Sequence, residues 1–257
     1  MAEYRSMTHA SRSLKKMHQE LKELQQKKAL GLAVFDLDST LFDVTPRLEK
    51  ILLDYAQAPE HQKQFPEQVQ YFKNIRILKK DWGIREILIR AGLDGHHHEF
   101  QESVREFWVQ NFFSNSALEH DIPYAGAVEF VRSIASSEVE IAYLTGRDVH
   151  RMGEGSQKIL RKWGFPLDEE NQRLVLKPHK SLDDAEFKKD WFVSLPKDKY
   201  EKIWFFENEP VNIHLIRQAR PEVEIFYFDS THSRRAEPPE DLPRLLHFLL
   251  EEEKKEE

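Results

Sequence analysis

Five short apolar segments, rich in β-branched and aromatic residues, constrain this chain more than anything else in it: residues 32–35, 139–144, 174–176, 203–206 and 223–228. Each has the length of a strand and is too short for a buried helix. Stretches with helical periodicity separate most of them: residues 127–134 precede the second, 155–163 follow it, and 210–219 lie between the last two. Apolar strands alternating with helices predict an α/β architecture, a parallel sheet covered by helices on both faces. Open sheets of that kind collect ligands beyond the carboxyl ends of their strands.

The first gap breaks the alternation. About 100 residues separate the first strand from the second, far more than a crossover needs. Residues 44–121 are rich in helix formers and aromatics, with Tyr71, Phe72, Ile75, Trp82, Ile84, Ile87 and Leu88 at helical spacings. They are expected to form an inserted, mostly helical second domain. Ahead of the first strand, residues 7–28 predict a charged helix. Its Leu14, Met17, Leu21 and Leu24 make one narrow apolar stripe. A stripe that short is little for a coiled coil, so the helix is expected to dock on the main body. From Arg234 onward a Pro-rich joint leads to an expected helix around 242–250 and an acidic, lysine-bearing end. The expected division is therefore an N-terminal helix (1–30), a core (31–43 and 122–233), the helical insertion (44–121) and a C-terminal helix with tail (234–257).

At 257 residues the chain has room for one large domain or for an ordinary one carrying an insertion. Its net charge of -7 argues against a general nucleic-acid binder, because phosphate backbones are held by excess Lys and Arg, although a local basic site stays open. There is no cysteine, which excludes disulfides, thiolate chemistry and Cys-based zinc sites. Apolar runs such as Ile203-Trp-Phe-Phe206 are too short to cross a bilayer, and residues 1–28 lack the apolar stretch of a secretory signal. A soluble, cytoplasmic protein is the expectation.

The chemistry starts at Ala33-Val-Phe-Asp36-Leu-Asp38-Ser-Thr40. An apolar strand runs straight into two aspartates two residues apart, a spacing that puts both side chains on one side. Close carboxylates are costly unless a cation neutralises them, so a bound metal is expected, and hard oxygen ligands suit Mg2+. The plain alternative is a polar loop capping a helix.

This segment resembles the first motif of the haloacid dehalogenase (HAD) superfamily of phosphatases and phosphotransferases, an apolar strand followed by Asp-x-Asp-x-Thr. The resemblance implies a Rossmann-like sheet with a helical cap inserted between the first two motifs. It implies a magnesium-dependent phosphatase that hydrolyses a small phosphomonoester through an aspartyl-phosphate on Asp36. Asp38 takes the role of general acid and base, and its presence favours phosphate over halide chemistry. The second motif is matched by Leu144-Thr145-Gly146-Arg147-Asp148: Thr145 would bind a phosphoryl oxygen, and Gly146 would let a ligand approach the backbone. Arg147 either binds the substrate phosphate or pairs with Asp148, the structural role being favoured. A Lys should offset charge on the phosphoryl group. Lys188, at a helix start, is preferred, Lys177 at the end of the third strand is the reserve, and Lys189 is assigned to the surface. The fourth motif should supply acidic metal ligands but reads Phe206-Glu207-Asn208-Glu209-Pro210. Glu207 and Asn208 join Asp36 and Asp38 as the expected metal set, while Glu209 is expected to cap the helix that Pro210 opens.

Three readings stay open at this level: a small-molecule phosphatase, a nucleotide or polynucleotide-end phosphatase, and a non-catalytic phosphate-ligand binding member. The second draws on Thr145-Gly-Arg-Asp and Gly164-Phe-Pro, which resemble the phosphatase half of polynucleotide kinase-phosphatases. His96-His97-His98 cannot all face one ion, so a transition-metal site is not expected there. Arg47, close in sequence to the catalytic strand, either faces the site or forms a surface salt bridge, the surface role being favoured. Oligomeric state and the residues that set specificity are not legible.

Overall fold

The computed structural model describes residues 2–78, 81–93, 97–135 and 139–250. β1 (Gly31–Phe35) lies inside a six-stranded sheet, with β4 (Val139–Asp148) on one side and β6 (Lys202–Glu207) on the other. β5 (Gln172–Lys177) extends the sheet beyond β4, and β7 (Glu224–Phe228) and β8 (Arg244–Leu245) extend it beyond β6. Every pairing in this sheet is parallel. The chain builds outward from β1 through β4 to β5, then crosses to β6. That reversal puts the switch point, and the ligand crevice it creates, beside the carboxyl end of β1.

The pleat of β1 explains the layering. Ala33 and Phe35 enter one buried cluster with Leu14, Met17, Leu21 and Leu24 of α1 (Ala2–Lys27) and with Phe130 and Val131 of α6 (Ala127–Ala135). Leu32 and Val34 face the other way, into a cluster with Phe192 of α8 (Asp184–Ser194) and with Ile213 and Ile216 of α9 (Pro210–Ala219). A strand buried on both faces has to read as a continuous apolar run, as this one does. Truncating Phe35 to Ala would cost about 3–5 kcal/mol through lost burial and the cavity left behind. α7 (Val149–Trp163) follows β4 and stops at Gly164, whose φ of 79° is the left-handed conformation that glycine adopts without strain.

A short antiparallel pair leads the chain out of the core and back: β2 (Phe42–Asp43) and β3 (Ile122–Pro123). Between them lie α2 (Thr45–Gln57), α3 (Pro59–Gln64), α4 (Arg85–Arg90) and α5 (His98–Phe112). These surround a third cluster of their own, with Leu52, Tyr55, Phe72, Leu88 and Phe100 at its centre. Two aromatics expected in that core are outside it: Tyr71 is 49% exposed and Trp82 50%. His96 of the histidine triplet lies outside the described residues, whereas His97 and His98 sit at the start of α5.

The expected helix around 242–250 is not formed. Arg244 and Leu245 instead pair with Tyr227 and Phe228 as the edge strand β8, and the Pro243 carbonyl accepts a hydrogen bond from the Tyr227 N–H (3.0 Å). Proline at that position suits a sheet edge and disfavours a helix interior. No described helix is long and apolar enough to cross a membrane.

Candidate active site

The carboxyl ends of β1, β4 and β6 open into a cavity of about 480 Å³, bounded on its far side by the inserted helices. Asp36 follows β1 directly, and its backbone N–H is fixed by the Phe206 carbonyl of the neighbouring strand (3.0 Å). The loop then folds back tightly. Ser39 adopts a left-handed φ of 62°, and Leu41 and Phe42 both donate to the Leu37 carbonyl. Non-glycine residues adopt that conformation only when their surroundings hold them there, and such residues cluster at functional sites.

Lys188 of α8 reaches into this floor. Its ammonium lies 2.6 Å from Asp36 Oδ1 and 2.7 Å from Glu207 Oε2, and all three side chains are buried. Burial pushes the Asp36 carboxyl up to about 7. Lys188 opposes that rise, and the negative charges of Glu207 and Asp38 add to it. Lys188 itself is held above its ordinary range: burial acts against its charge, but Asp36 and Glu207 overcome it. Asp36 Oδ2 has no hydrogen-bond partner among the described residues, and Asp36 lines the cavity.

Asp38 is placed very differently. Its Oδ1 accepts from Arg47 Nη2 (2.5 Å) and Arg147 Nη2 (2.9 Å), and its Oδ2 accepts from Arg147 Nε (2.8 Å). Behind them, buried Asp121 takes Arg47 Nε at 2.7 Å and Nη2 at 2.6 Å, and Arg147 Nη2 at 2.7 Å. Two arginines and two aspartates thus form a closed, charge-balanced quartet. Burial raises the Asp38 carboxyl, but the guanidiniums of Arg147 and Arg47 overcome that and hold it well below the usual carboxylate range.

Two expectations are corrected here. Arg47 is not a surface residue, being fully buried on α2. Arg147 does not pair with Asp148, which instead caps α7 by accepting from the Arg151 N–H (3.0 Å) and from Arg151 Nε (2.6 Å). Arg47 and Asp121 are 74 residues apart at the two ends of the insertion, and sequence reading missed their partnership. The faint signal was an arginine in the first turn of a helix beginning Thr45-Pro46 just after the double-aspartate loop.

The remaining expected residues divide. Thr145 is buried, lines the cavity and accepts the Arg147 N–H through Oγ1 (3.3 Å). Gly146 also lines it, but the space beside its Cα is filled by the Asp184 carboxylate rather than left for a ligand. Lys177 holds that same Asp184 and donates to the Leu182 carbonyl (2.9 Å), so its charge is spent fixing the start of α8. Lys189 pairs with Glu186 on the surface side of α8. Glu209 sits at the head of α9 without capping it; its carboxylate takes the Ser233 N–H (2.8 Å) and hydroxyl (2.7 Å) instead.

The expected metal set is largely committed to protein donors. Glu207 Oε1 accepts the N–H groups of Asn208 (2.9 Å) and Glu209 (3.0 Å), while its Oε2 takes Lys188 and Asn212 Nδ2 (2.9 Å). Asn208 Oδ1 accepts from Thr40 (3.1 Å), and Asp38 is engaged by the arginines. Among the described residues no three His, Asp or Glu side chains converge as a ready cage. Two oxygens are left over: Asp36 Oδ2, and Asn212 Oδ1, which is buried without a partner. An orphaned buried acceptor lining the same cavity as the Asp36 carboxylate suits a small hard cation that takes few protein ligands. Asn212, in the first turn of α9, was not singled out from the sequence.

Residues 30–181 match the family model of haloacid dehalogenase-like hydrolases, more than half of the chain. The chain belongs to that family. Among solved structures, a hydrolase of the superfamily from Geobacter sulfurreducens PCA is 13% identical over 85% of this chain and 93% of its own, with a TM-score of 0.46. A hydrolase from Streptococcus pneumoniae TIGR4 is 15% identical over 77% and 92%, with a TM-score of 0.47. The protein tyrosine kinase A of Mycobacterium tuberculosis is 14% identical over 84% and 94%, with a TM-score of 0.48. At these identities the likeness concerns the backbone alone. No curated protein matches the chain. As a haloacid dehalogenase-like hydrolase, it carries the Asp36 loop and the β4 terminus, residues 145–148, inside the matched span, whereas Lys188 and the Glu207 loop lie beyond it.

Proposed function

We propose that this hydrolase is a magnesium-dependent phosphatase acting on a small phosphomonoester, with Asp36 as the nucleophile. The reading rests chiefly on the asymmetry of the Asp36 carboxylate: Oδ1 is anchored by Lys188 at 2.6 Å, and Oδ2 has no partner among the described residues and belongs to a side chain lining the cavity. A carboxylate held in this way presents one oxygen in a fixed direction. In-line attack on phosphorus would form an aspartyl-phosphate and release the alcohol, splitting one hard displacement into two easier ones. Lys188 would offset charge on the phosphoryl oxygens, and the Thr145 hydroxyl would donate to one of them. Magnesium, when bound, would polarise the phosphoryl group; Asp36 and Asn212 would hold it, with Glu207 orienting Asn212 by accepting from its Nδ2 and Asn208 anchoring Thr40 of the loop that follows Asp36.

Asp38 would exchange protons with the leaving alcohol and then with water. Its two arginines keep it ionised, which suits the water-activating half of the cycle. For the alcohol-protonating half, Asp38 has to part from Arg47. A phosphate dianion entering beside Arg147 competes for the same guanidiniums and supplies the means.

The double ion pair on Asp38 also favours a second reading, a member that binds phosphate ligands without turning them over. Phosphate release from an aryl phosphate and a panel of metabolite phosphates, with magnesium and with chelator, beside Asp36→Asn, separates the two. Magnesium-dependent release that disappears in the variant supports the phosphatase. Tight phosphate binding without release from any ester supports the binding protein.

A further inference from the structure

The inserted segment contributes four aromatic rings to the cavity lining, Trp82, Trp108, Phe112 and Phe113, and the proposed phosphatase chemistry does not use them. Trp108, Phe112 and Phe113 come from α5 and the turn after it, with ring centroids 5.1–5.7 Å apart. Phe112 lies under the Arg47 guanidinium, 4.4 Å from its centroid, so the aromatic wall begins one side chain away from Asp38. Trp82 lines the same cavity from the loop before α4. It belongs to none of the three buried clusters and is 50% exposed.

What sets Trp82 apart from the other exposed apolar side chains is its place in the lining of the cavity that holds Asp36. Trp108 adds an independent sign. Its indole N–H is buried with no acceptor among the described residues, although buried donors are ordinarily paired. Arg235 lines the same cavity with no acidic partner among the described residues; its Nε donates to Ser233 Oγ (3.2 Å).

We infer, taking the phosphatase reading as given, that the alcohol carried by the substrate bears a flat heteroaromatic ring, and that the substrate class is the nucleoside monophosphates. The distribution of chemistry along the cavity follows the parts of such a molecule. Phosphate meets Asp36, Thr145 and Lys188. The base meets Trp82 and the α5 aromatics, whose π faces stack on any base. Trp108 adds a further ring face to the wall, and Arg235 offers a cation to the polar edge. A cavity of about 480 Å³ is within the range that holds ligands of this size and is generous for a bare sugar phosphate. Because the inserted helices supply the wall, they would set specificity while the sheet supplies the reaction.

The test compares a purine nucleoside 5′-monophosphate with ribose 5-phosphate, which keeps the sugar and phosphate and lacks the base. The expected preference in kcat/KM is about 10- to 100-fold for the nucleotide, the worth of one or two stacking contacts. Trp108→Ala and, separately, Trp82→Ala should each lower that ratio about tenfold or more. Trp82 is outside the buried clusters, so its variant addresses the proposal even if Trp108→Ala does not fold. Equal kcat/KM for the two esters, or a ratio that neither variant changes, overturns the inference. If neither ester is hydrolysed, the phosphatase reading is what fails for this class. Calorimetric titration of both esters into Asp36→Asn then decides the inference: nucleotide binding at least tenfold tighter supports it, and equal or absent binding overturns it.

Discussion

The two sides of the cavity are built on opposite principles. On the sheet side nearly every polar atom is committed: Lys188 to two carboxylates, Glu207 to four donors, Asp38 to two arginines. On the inserted side the rings are in contact with one another but leave Trp82 half exposed and the Trp108 N–H unpaired among the described residues. A reaction needs groups held in one geometry, so its floor is rigid and charge-balanced. Selection among alcohols needs a surface that stays available until a ligand covers it. The contrast predicts that substitutions on the floor cost both stability and activity, and that substitutions on the wall chiefly change which ester is preferred.

The largest effect should come from Asp36→Asn, with phosphate release falling by about 10³-fold or more, as expected when a nucleophile is removed. Lys188→Met should be next. It leaves Asp36 and Glu207 facing each other without their buried cation, and thermal or denaturant unfolding should show a loss of about 3–5 kcal/mol. The Asp38–Arg47–Asp121–Arg147 quartet gives a sharper version of the same claim. Arg47→Met and Asp121→Asn should each destabilise by about 3 kcal/mol, and the double variant by clearly less than their sum, because each change alone strands a buried charge. Full additivity would show that the four charges do not act as a unit.

A smaller effect is carried by pH. An unfolded Asp titrates near 3.9, whereas the folded Asp36 carboxyl is pushed up to about 7. Between those values the folded chain holds a proton that the unfolded chain has lost, so ionising Asp36 removes stability as pH rises through that window. Asp36→Asn should therefore flatten the decline in stability from about pH 4 to pH 7, measured as denaturant midpoints across that range. At the bottom of the scale, Lys189→Ala should change stability by no more than about 0.5 kcal/mol, since its partner Glu186 is a surface neighbour on the same helix.

The floor was legible in the sequence because its residues follow apolar strand segments. Asp36, Thr145 and Glu207 each stand at the end of an apolar run, where local pattern alone fixes their place. Lys188 was reachable through the family resemblance, which expects a Lys near the start of this helix, and α8 does begin just ahead of it, at Asp184. The quartet was not legible, since a buried pairing between Arg47 and Asp121 depends on how β2 and β3 come together, which no local spacing encodes. The same limit applies to Trp82, whose helical spacing from its neighbours suggested core but whose loop turns it toward the cavity. The C-terminal strand, by contrast, carries a local signal. Pro243 stands inside the segment expected to be helical, and a proline there weighs against a helix and for the sheet edge that β8 forms.

The central claim is that Asp36 becomes phosphorylated during turnover, and trapping that intermediate tests it most directly. The protein would be mixed with magnesium and a hydrolysed ester, quenched in acid within the first turnovers, and reduced with borohydride, which converts an aspartyl-phosphate to homoserine. Peptide mass spectrometry that finds homoserine at position 36, and none in a sample quenched without ester, is the predicted result. Phosphate release that proceeds with Asp36 unmodified, and persists in Asp36→Asn, would contradict the account.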